Sequence, residues 1–179
     1  MSEDEIRKTW EESPMLKPKI EKVVVNLCVG KSGEPLEKAA KVLKELTGRT
    51  PCKRKAQQSI RDFGIRMGES IAVVVTLRKQ DAVEFLNKVL PVVDKKIAKK
   101  SFDHQGNFSF GIKEHIEIQG VKYDPEVGIF GMDICVSMSR PGYRVKNRRR
   151  EKARIGSEHI LTPEESMTFV KDTLGVEIV

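Results

Sequence analysis

The sequence has few cysteines and no long apolar run, and both shortages exclude classes of protein. Its three cysteines, Cys28, Cys52 and Cys135, are widely separated in 179 residues and form no CxxC pair. An odd number at such spacings argues against a disulfide framework and against a zinc knuckle, so we expect a reducing, intracellular setting. No apolar run approaches the length that crosses a bilayer, and the acidic N-terminal stretch MSEDEIRKTWEES lacks the basic-then-apolar order of a signal peptide. We therefore expect a soluble cytoplasmic protein with no membrane partner.

Histidines are equally scarce, and the residue combinations of a typical active site are missing. His104, His115 and His159 are isolated from one another in sequence, and none has a cysteine or carboxylate at a metal-ligand spacing. No serine lies in a nucleophile elbow, and the acids are spread along polar helix faces without pairing around a cleft. These absences predict a protein that is not an enzyme and needs no metal or cofactor.

One short motif, VGKSG, favours a rival hypothesis, a nucleotide-binding enzyme. Gly30, Lys31 and Ser32 lie between a predicted strand and a predicted helix, where the phosphate-binding loop of a P-loop protein is found. The complete motif also needs a glycine five residues before Gly30, and that position is Val25. We therefore expect a simple strand-to-helix turn, and no Mg²⁺-dependent binding of ATP or GTP that Lys31→Ala would abolish.

Hydrophobic periodicity locates the regular elements. Strands are expected at 20–30, 70–78, 107–118 and 131–139, and helices at 3–12, 34–48, 81–93 and 162–175. The last helix has the strongest boundary signals, which are Thr162 as N-cap, Pro163 at the first helical position, Glu165 to complete a capping box and Gly175 to end it. Between residues 49 and 69 the chain is basic and broken by Pro51, Gly64 and Gly68, which indicates an exposed loop containing one short strand.

This order of elements predicts an α+β fold in which helices cover one face of an antiparallel or mixed β-sheet and leave the other face open. The buried face is expected to contain Val23, Val25, Leu27, Val29, Ile71, Val73, Val75 and Leu77. Asn26 and Thr76 fall on the opposite face, where a short amide or hydroxyl can read RNA edges without the cost of burying a charge. No repeat or linker divides the chain, so we expect one domain over residues 1–179.

Positive charge is concentrated in the segment RPGYRVKNRRREKARIG, residues 140–156, which we call the basic arm. It holds one acid, Glu151, and eight cations, which are Arg140, Arg144, Lys146, Arg148, Arg149, Arg150, Lys152 and Arg154. Its charge of +7 equals the net charge of the whole chain, so the remaining residues sum to zero. This polarity favours a polyanionic partner, and the arginines suit bidentate contact with phosphates.

A second basic segment, CKRKAQQSIR, precedes the second predicted strand. It combines cations with uncharged polar residues, a mixture that suits phosphate oxygens together with sugar or base edges: Lys53, Arg54, Lys55 and Arg61 with Gln57, Gln58 and Ser59. Pro141 and Gly142 directly follow a predicted strand, so the basic arm is expected to leave the sheet as an extended or partly disordered segment that orders on binding. A second rival hypothesis is a nucleic-acid chaperone that binds many RNAs alike through this arm.

In combination, these segments resemble the ribosomal protein L5 family in its archaeal and eukaryotic form. The resemblance runs from SPMLKPKIEKVVVNLCVGKSGEPLEKAAKVLKELTG through TPCKRKAQQSIRDFGIR and IAVVVTLR to FDHQGNFSFGIKEH and YDPEVGIFGMDICVSMSRPGYR. It implies an α+β domain loosely like an RNA-recognition motif, although NFSFGIKEH lacks the basic and aromatic order of that motif. It also implies a structural protein that attaches 5S rRNA to the central protuberance of the large ribosomal subunit. The implied neighbours are large-subunit rRNA, other ribosomal proteins, the peptidyl-site tRNA and, through a bridge, the small subunit.

The family pattern also implies individual contacts. A family asparagine and a family threonine on two strands correspond to Asn26 and Thr76, and a family glutamine is Arg49 here, which keeps hydrogen-bond donors but loses the amide acceptor. With neighbouring polar residues, the expected 5S rRNA contacts are Asn26, Arg49, Lys55, Gln57, Ser59, Thr76 and Arg78. Loop 49–62 corresponds to a tRNA-facing loop, whose contacts are expected from Arg49, Lys53, Arg54 and Lys55. All eight cations of the basic arm are expected to clamp rRNA phosphates.

Overall fold

This computed structural model describes residues 3–121 and 128–179, and within them the chain forms five α-helices and seven strands. The helices are α1 (Glu3–Glu12), α2 (Glu34–Thr47), α3 (Lys79–Val89), α4 (Arg144–Asn147) and α5 (Pro163–Leu174). The strands are β1 (Lys19–Cys28), β2 (Cys52–Lys55), β3 (Ser70–Leu77), β4 (Lys96–Ile97), β5 (Phe108–Ile112), β6 (Met132–Ser139) and β7 (Glu177–Ile178). The YDPEV part of the family pattern lies outside the described residues.

Five strands form one antiparallel sheet with the order β2-β3-β1-β6-β5. A separate two-stranded sheet pairs β4 with β7 in parallel. Helices α2 and α3 pack on one face of the large sheet, against β3 and β1, and the other face is open. These observations confirm the α+β fold, while the likeness to an RNA-recognition motif stays a prediction.

Alternation along the central strands produces the buried face, as predicted. Val23, Val25 and Leu27 of β1 are fully buried, and their partners Val73, Val75 and Leu77 on β3 are nearly so. Val29 and Ile71, also expected on this face, are only half-buried because they lie where the two strands end. One cluster of buried apolar residues extends from Ile6 in α1 to Val176 near the C-terminal end of the described chain.

Proline and glycine set the ends of the central helices. Helix α2 ends at Gly48, whose φ of 65° is in the left-handed region that glycine adopts without strain. The periodic run predicted as a helix over 81–93 splits, because Pro91 cannot donate a backbone hydrogen bond inside a helix. Helix α3 therefore stops at Val89, and residues Leu90–Val93 form a tighter 3₁₀ turn.

The third predicted strand is shorter than the sequence indicates. A strand was expected over 107–118, but β5 ends at Ile112 and residues His115–Glu117 form a 3₁₀ turn. The buried His115 holds this turn in place: its backbone N–H donates to the Phe130 carbonyl at 3.1 Å, and its Nδ1 accepts from the Phe130 N–H at 3.2 Å. Alternating isoleucines in this segment imitate a strand, although they pack beside a turn.

The terminal helices pack against each other. Trp10 of α1 contacts Phe169 of α5 edge-on, with ring centroids 6.4 Å apart. Arg7 donates to both carboxylate oxygens of Asp172 at 3.1 and 2.8 Å, which lowers the pKa of that carboxyl. Helix α5 begins with the predicted capping box, because the Thr162 side chain accepts from the Glu165 N–H and the Glu165 carboxylate accepts from the Thr162 N–H.

None of the helices in the described ranges has the length and apolar composition that a membrane crossing requires.

Gly106 packs closely against Leu161 and Ser166 at the N-terminal end of α5. Its φ is +73°, and a Cβ there would lie 2.9 Å from the Ser166 Cβ and 3.0 Å from a Leu161 methyl carbon. Gly30 has nearly the same φ, +74°, and no atom of the described residues lies within 4 Å of its Cβ position. We expect Gly30→Ala to cost about 1 kcal/mol of unfolding free energy from backbone strain, and Gly106→Ala about 2 kcal/mol more from overpacking. Equal losses in urea unfolding would contradict the predicted clash.

Candidate nucleic-acid interface

Small and mostly uncharged residues cover the open face of the sheet. One row across the strands contains Thr76, Val24, Cys135 and Ser109, and the next contains Cys52, Val74, Asn26, Asp133 and Gly111. Cross-strand neighbours point to the same face, so both rows lie opposite the helices. A face built from short side chains lets a bulky ligand approach the strands closely.

Asn26 and Thr76 lie near each other on this face. Asn26 is opposite Val74, two residues before Thr76, which makes the pair diagonal neighbours at about 7–8 Å between their Cα atoms. Within residues 3–121 and 128–179, neither side chain makes a hydrogen bond. Strand β2 begins with Cys52 opposite Val74, so it does not reach Thr76 and leaves that residue exposed. The two polar groups are therefore available to a ligand.

A cleft of about 480 Å³ borders Thr76 at the β2 edge of the sheet. Its lining includes Arg49, Arg54, Thr76, Arg78 and Asp81. Arg49 donates through Nε to the Asp81 carboxylate at 3.0 Å, yet 63% of its side chain remains exposed, so further donors of its guanidinium can reach a ligand. The cleft thus combines three arginines from the predicted contacts with the hydroxyl of Thr76.

The other residues predicted to contact RNA in loop 49–62 lie on different sides of the sheet. Lys53 pairs with Glu37 of α2, because its opposite residue on β3, Val73, belongs to the helix-covered face. Lys55 and Gln57 are exposed. The Ser59 hydroxyl accepts from the Met67 N–H at 2.8 Å, so it shapes the loop. The predicted residues therefore do not form one surface: Arg54 faces the open side and Lys53 the helical side.

The basic arm begins with a turn and contains the short helix α4. The sequence predicts an extended or partly disordered segment, but residues Arg144–Asn147 are helical. Lys146 lies 4.8 Å above the ring centroid of Tyr143. Six other cations of the arm are exposed, which are Arg144, Arg148, Arg149, Arg150, Lys152 and Arg154. These seven cations remain candidates for phosphate contacts.

Arg140 must be removed from the predicted phosphate clamp. Its side chain is 2% exposed, and its guanidinium forms an ion pair with the Glu165 carboxylate in the first turn of α5. A second nitrogen lies 3.5 Å from the Glu158 carbonyl, whereas Nε has no partner among the described residues. The reason is position: Arg140 directly follows the last residue of β6, so its side chain enters the core and does not extend from the surface.

Tyr143 and His159 fasten the start of the arm to the segment before α5. The Tyr143 hydroxyl accepts from the Leu161 N–H at 2.8 Å and donates to the His159 carbonyl at 3.2 Å. The His159 ring nitrogen Nε2 lies 2.9 Å from the Pro141 carbonyl, which can only accept, so Nε2 carries the proton. The arm therefore leaves a fixed base.

Two features of the site have weak signals in the sequence. Asp133, beside Asn26 on the open face, is an exposed acid that disfavours phosphates and favours donors on base edges at that point. Phe63, in the hairpin between β2 and β3, has an exposed side chain in a segment that the sequence indicates only as a basic, exposed loop. All three cysteines are free and exposed on the open face, and no group of metal ligands occurs in the described ranges.

Comparisons with known proteins agree with this architecture. Two family models match, one described as "Ribosomal protein L5" over residues 13–66 and one that describes the C-terminus of the same ribosomal family over residues 70–177. The protein named "Large ribosomal subunit protein uL5" from Pyrobaculum aerophilum is 55% identical over 165 residues, 92% of each chain. Its namesake from Aeropyrum pernix is 51% identical, covering 98% of this chain and 92% of its own. The one from Sulfolobus acidocaldarius is 49% identical over 99% of this chain and 98% of its own. The chain belongs to the ribosomal protein L5 family.

Proposed function

We propose that the open face of the sheet and its adjoining cleft bind 5S rRNA and attach it to the central protuberance of the large ribosomal subunit. Membership of the ribosomal protein L5 family makes the chain a structural, non-enzymatic constituent of the large ribosomal subunit, located in the cytoplasm. The finer assignment rests on the open face. There, Asn26 and Thr76 offer free hydrogen-bonding groups beside the arginines of the cleft.

The chemistry of this face suits a folded RNA better than a protein or a small anion. RNA is recognised largely through shape, 2′-hydroxyls and base edges, which call for uncharged donors and acceptors close to the backbone. Asn26 supplies both a donor and an acceptor, and Thr76 a hydroxyl that can act as either. Arg49 and Arg78 at the cleft can then neutralise phosphates along the edge. In nucleic-acid-binding proteins, contacts to phosphates typically position the protein, while contacts to base edges determine specificity.

Two further contacts belong to the proposal. Residues 49–62, which comprise β2 and the segments on either side of it, face the peptidyl-site tRNA through Arg49, Lys53, Arg54 and Lys55, of which Arg54 and Lys55 have no ion-pair partner in the described ranges. The basic arm, without Arg140, binds large-subunit rRNA through phosphates, and neighbouring ribosomal proteins and a bridge to the small subunit complete the surroundings. The shared cluster of buried residues, which includes residues of both family models, supports one domain over the chain.

Substitution of Asn26 and Thr76 tests whether the open face binds 5S rRNA specifically. We expect Asn26→Ala and Thr76→Val each to lower affinity for 5S rRNA about tenfold, because each leaves RNA donors or acceptors unpaired. Affinity for an unrelated RNA of equal length should change less than about twofold. Filter binding at one fixed salt concentration measures both, since affinities at different salt concentrations are not comparable.

The matched control is Thr173→Val on α5, which makes the same chemical change at an exposed position outside the sheet. We expect it to leave both affinities unchanged. Equal loss for 5S rRNA and for the unrelated RNA in Thr76→Val would contradict a reading role for the open face. An equal loss in Thr173→Val would show that the effect is not specific to that face.

A further inference from the structure

The hairpin between β2 and β3 ends in an exposed apolar tip. The Phe63 side chain is 73% exposed and that of Met67 is 72% exposed. Single exposed apolar residues are common on protein surfaces, so exposure alone assigns no role. The geometry and the charge around these two residues supply the further evidence.

Backbone hydrogen bonds hold the tip in one conformation. The Ile60 N–H donates to the Ile65 carbonyl at 2.9 Å, and the Ile65 N–H donates to the Ile60 carbonyl at 3.1 Å. Between them, the Gly64 N–H donates to the Arg61 carbonyl at 3.0 Å and closes a four-residue turn. Gly64 has a φ of +66°, which glycine adopts at little cost. Phe63 therefore occupies the third position of an ordered turn.

The base of the hairpin is equally well fixed. The Ala56 N–H donates to the Glu69 carbonyl at 2.7 Å, and the Gly68 N–H donates to the Ala56 carbonyl at 2.9 Å. The Ser32 hydroxyl and the Arg66 N–H both donate to the Glu69 carboxylate, which lowers its pKa. A backbone that is already ordered loses less conformational freedom when a side chain that it carries binds a ligand.

Positive charge flanks the apolar tip along the chain. Residues 54–66 contain four cations, Arg54, Lys55, Arg61 and Arg66, and one acid, Asp62. None of the four cations forms an ion pair in the part of the chain that the structure describes. An aromatic ring among unpaired cations is the combination that binds unpaired nucleotides, because bases stack on the ring while the cations contact phosphates. A partner protein would need a matching acidic surface around an apolar pocket.

We propose that Phe63 stacks on an unpaired base of a folded RNA and that Arg61 and Arg66 contact the phosphates beside it. This inference rests on the proposed tRNA contact of residues 49–62 and extends it to the hairpin tip that directly follows them. It is independent of the 5S rRNA contact of the open face.

A substitution series at Phe63 distinguishes stacking from general apolar contact. The probe is deacylated tRNA, whose unpaired elbow and loop bases offer stacking partners. We expect Phe63→Ala and Phe63→Leu each to lower affinity for tRNA about tenfold, and Phe63→Trp to preserve it, because only the aromatic residues have a π-face. Full affinity in Phe63→Leu would overturn stacking and would instead indicate an apolar contact of the kind made with a protein.

Fluorescence of Phe63→Trp reports the stacking directly. The native chain has one tryptophan, Trp10, which is 8% exposed and provides the background signal. We expect tRNA to quench the fluorescence of the added tryptophan. A blunt-ended RNA duplex, compared at the same fraction of bound protein, should leave that fluorescence unchanged. Equal quenching by both RNAs, or binding of tRNA without quenching, would overturn the proposal.

Affinity for 5S rRNA separates this inference from the function on which it rests. We expect every Phe63 variant to bind 5S rRNA like the unmodified protein. If the unmodified protein prefers tRNA over the duplex and Phe63→Ala retains that preference, stacking is refuted while the tRNA contact stands. If the unmodified protein shows no preference, both fail. A loss for 5S rRNA as large as the loss for tRNA would also refute the specific role of Phe63.

Discussion

Arg140→Ala is expected to lower the free energy of unfolding by about 3 kcal/mol, even though Arg140 belongs by sequence to the most basic surface segment. Its side chain is 2% exposed and that of its partner Glu165 is 12% exposed. Removal of the guanidinium leaves the carboxylate in a poorly solvated position without its cation. Urea unfolding followed by circular dichroism measures the loss.

A double-mutant cycle shows whether the loss belongs to the pair. We expect the combined variant Arg140→Ala with Glu165→Ala to lose clearly less stability than the sum of the two single variants. Lys53→Ala, which breaks the exposed pair of Lys53 with Glu37, is the comparison and should cost less than about 1 kcal/mol. Additive losses in the cycle, or a loss for Arg140→Ala no larger than for Lys53→Ala, would contradict a buried structural pair.

The fold was largely predictable because its signals are local. Alternation in β1 and β3, the capping box at Thr162 and the glycine at position 48 each specify an element within a few residues. The errors arise where a contact between residues far apart in sequence determines the end of an element. The strand predicted to 118 stops at Ile112 because His115 bonds with Phe130, fifteen residues away, and that contact has no signature in the local pattern.

The candidate site was predictable in composition but not in arrangement. Period-two alternation places Asn26 and Thr76 on the open face, and the register of β1 with β3 makes them neighbours. It is harder to predict which cations are free to bind RNA, because the sequence gives their number but not which of them pair with acids. Arg49 and Lys53 pair with acids on α3 and α2, Arg148 pairs with Glu151 inside the arm, and the buried Arg140 pairs with Glu165. Four of the cations expected to contact RNA therefore have acidic partners within the chain.

The burial of Arg140 changes how the role of the basic arm should be tested. Deletion of residues 140–156 would remove the Glu165 partner and the Tyr143 anchor together with the surface cations, so lost RNA binding could reflect lost folding. Glutamine substitution of the seven remaining cations avoids this problem because it keeps a polar side chain at each position and leaves Arg140 and Tyr143 unchanged. The variant changes Arg144, Lys146, Arg148, Arg149, Arg150, Lys152 and Arg154.

We expect this seven-glutamine variant to bind 5S rRNA at least about a hundredfold more weakly at physiological salt. If each cation neutralises one phosphate, the slope of log affinity against log salt concentration should become shallower by about 5 to 6, since each contact releases a condensed counterion. The preference for 5S rRNA over an unrelated RNA of equal length should persist, because the arm supplies phosphate contacts and the open face supplies the reading groups. Filter binding across a salt series measures all three quantities.

The matched control replaces Lys95, Lys96, Lys99 and Lys100 by glutamine, a cluster of exposed lysines outside both the arm and the open face. It should change the salt slope much less per charge removed. A preference that disappears together with the arm would favour the RNA chaperone hypothesis, in which the arm alone binds RNA. A preference that survives in the seven-glutamine variant but is lost in Asn26→Ala would separate the two functions physically, with affinity in the arm and discrimination on the sheet.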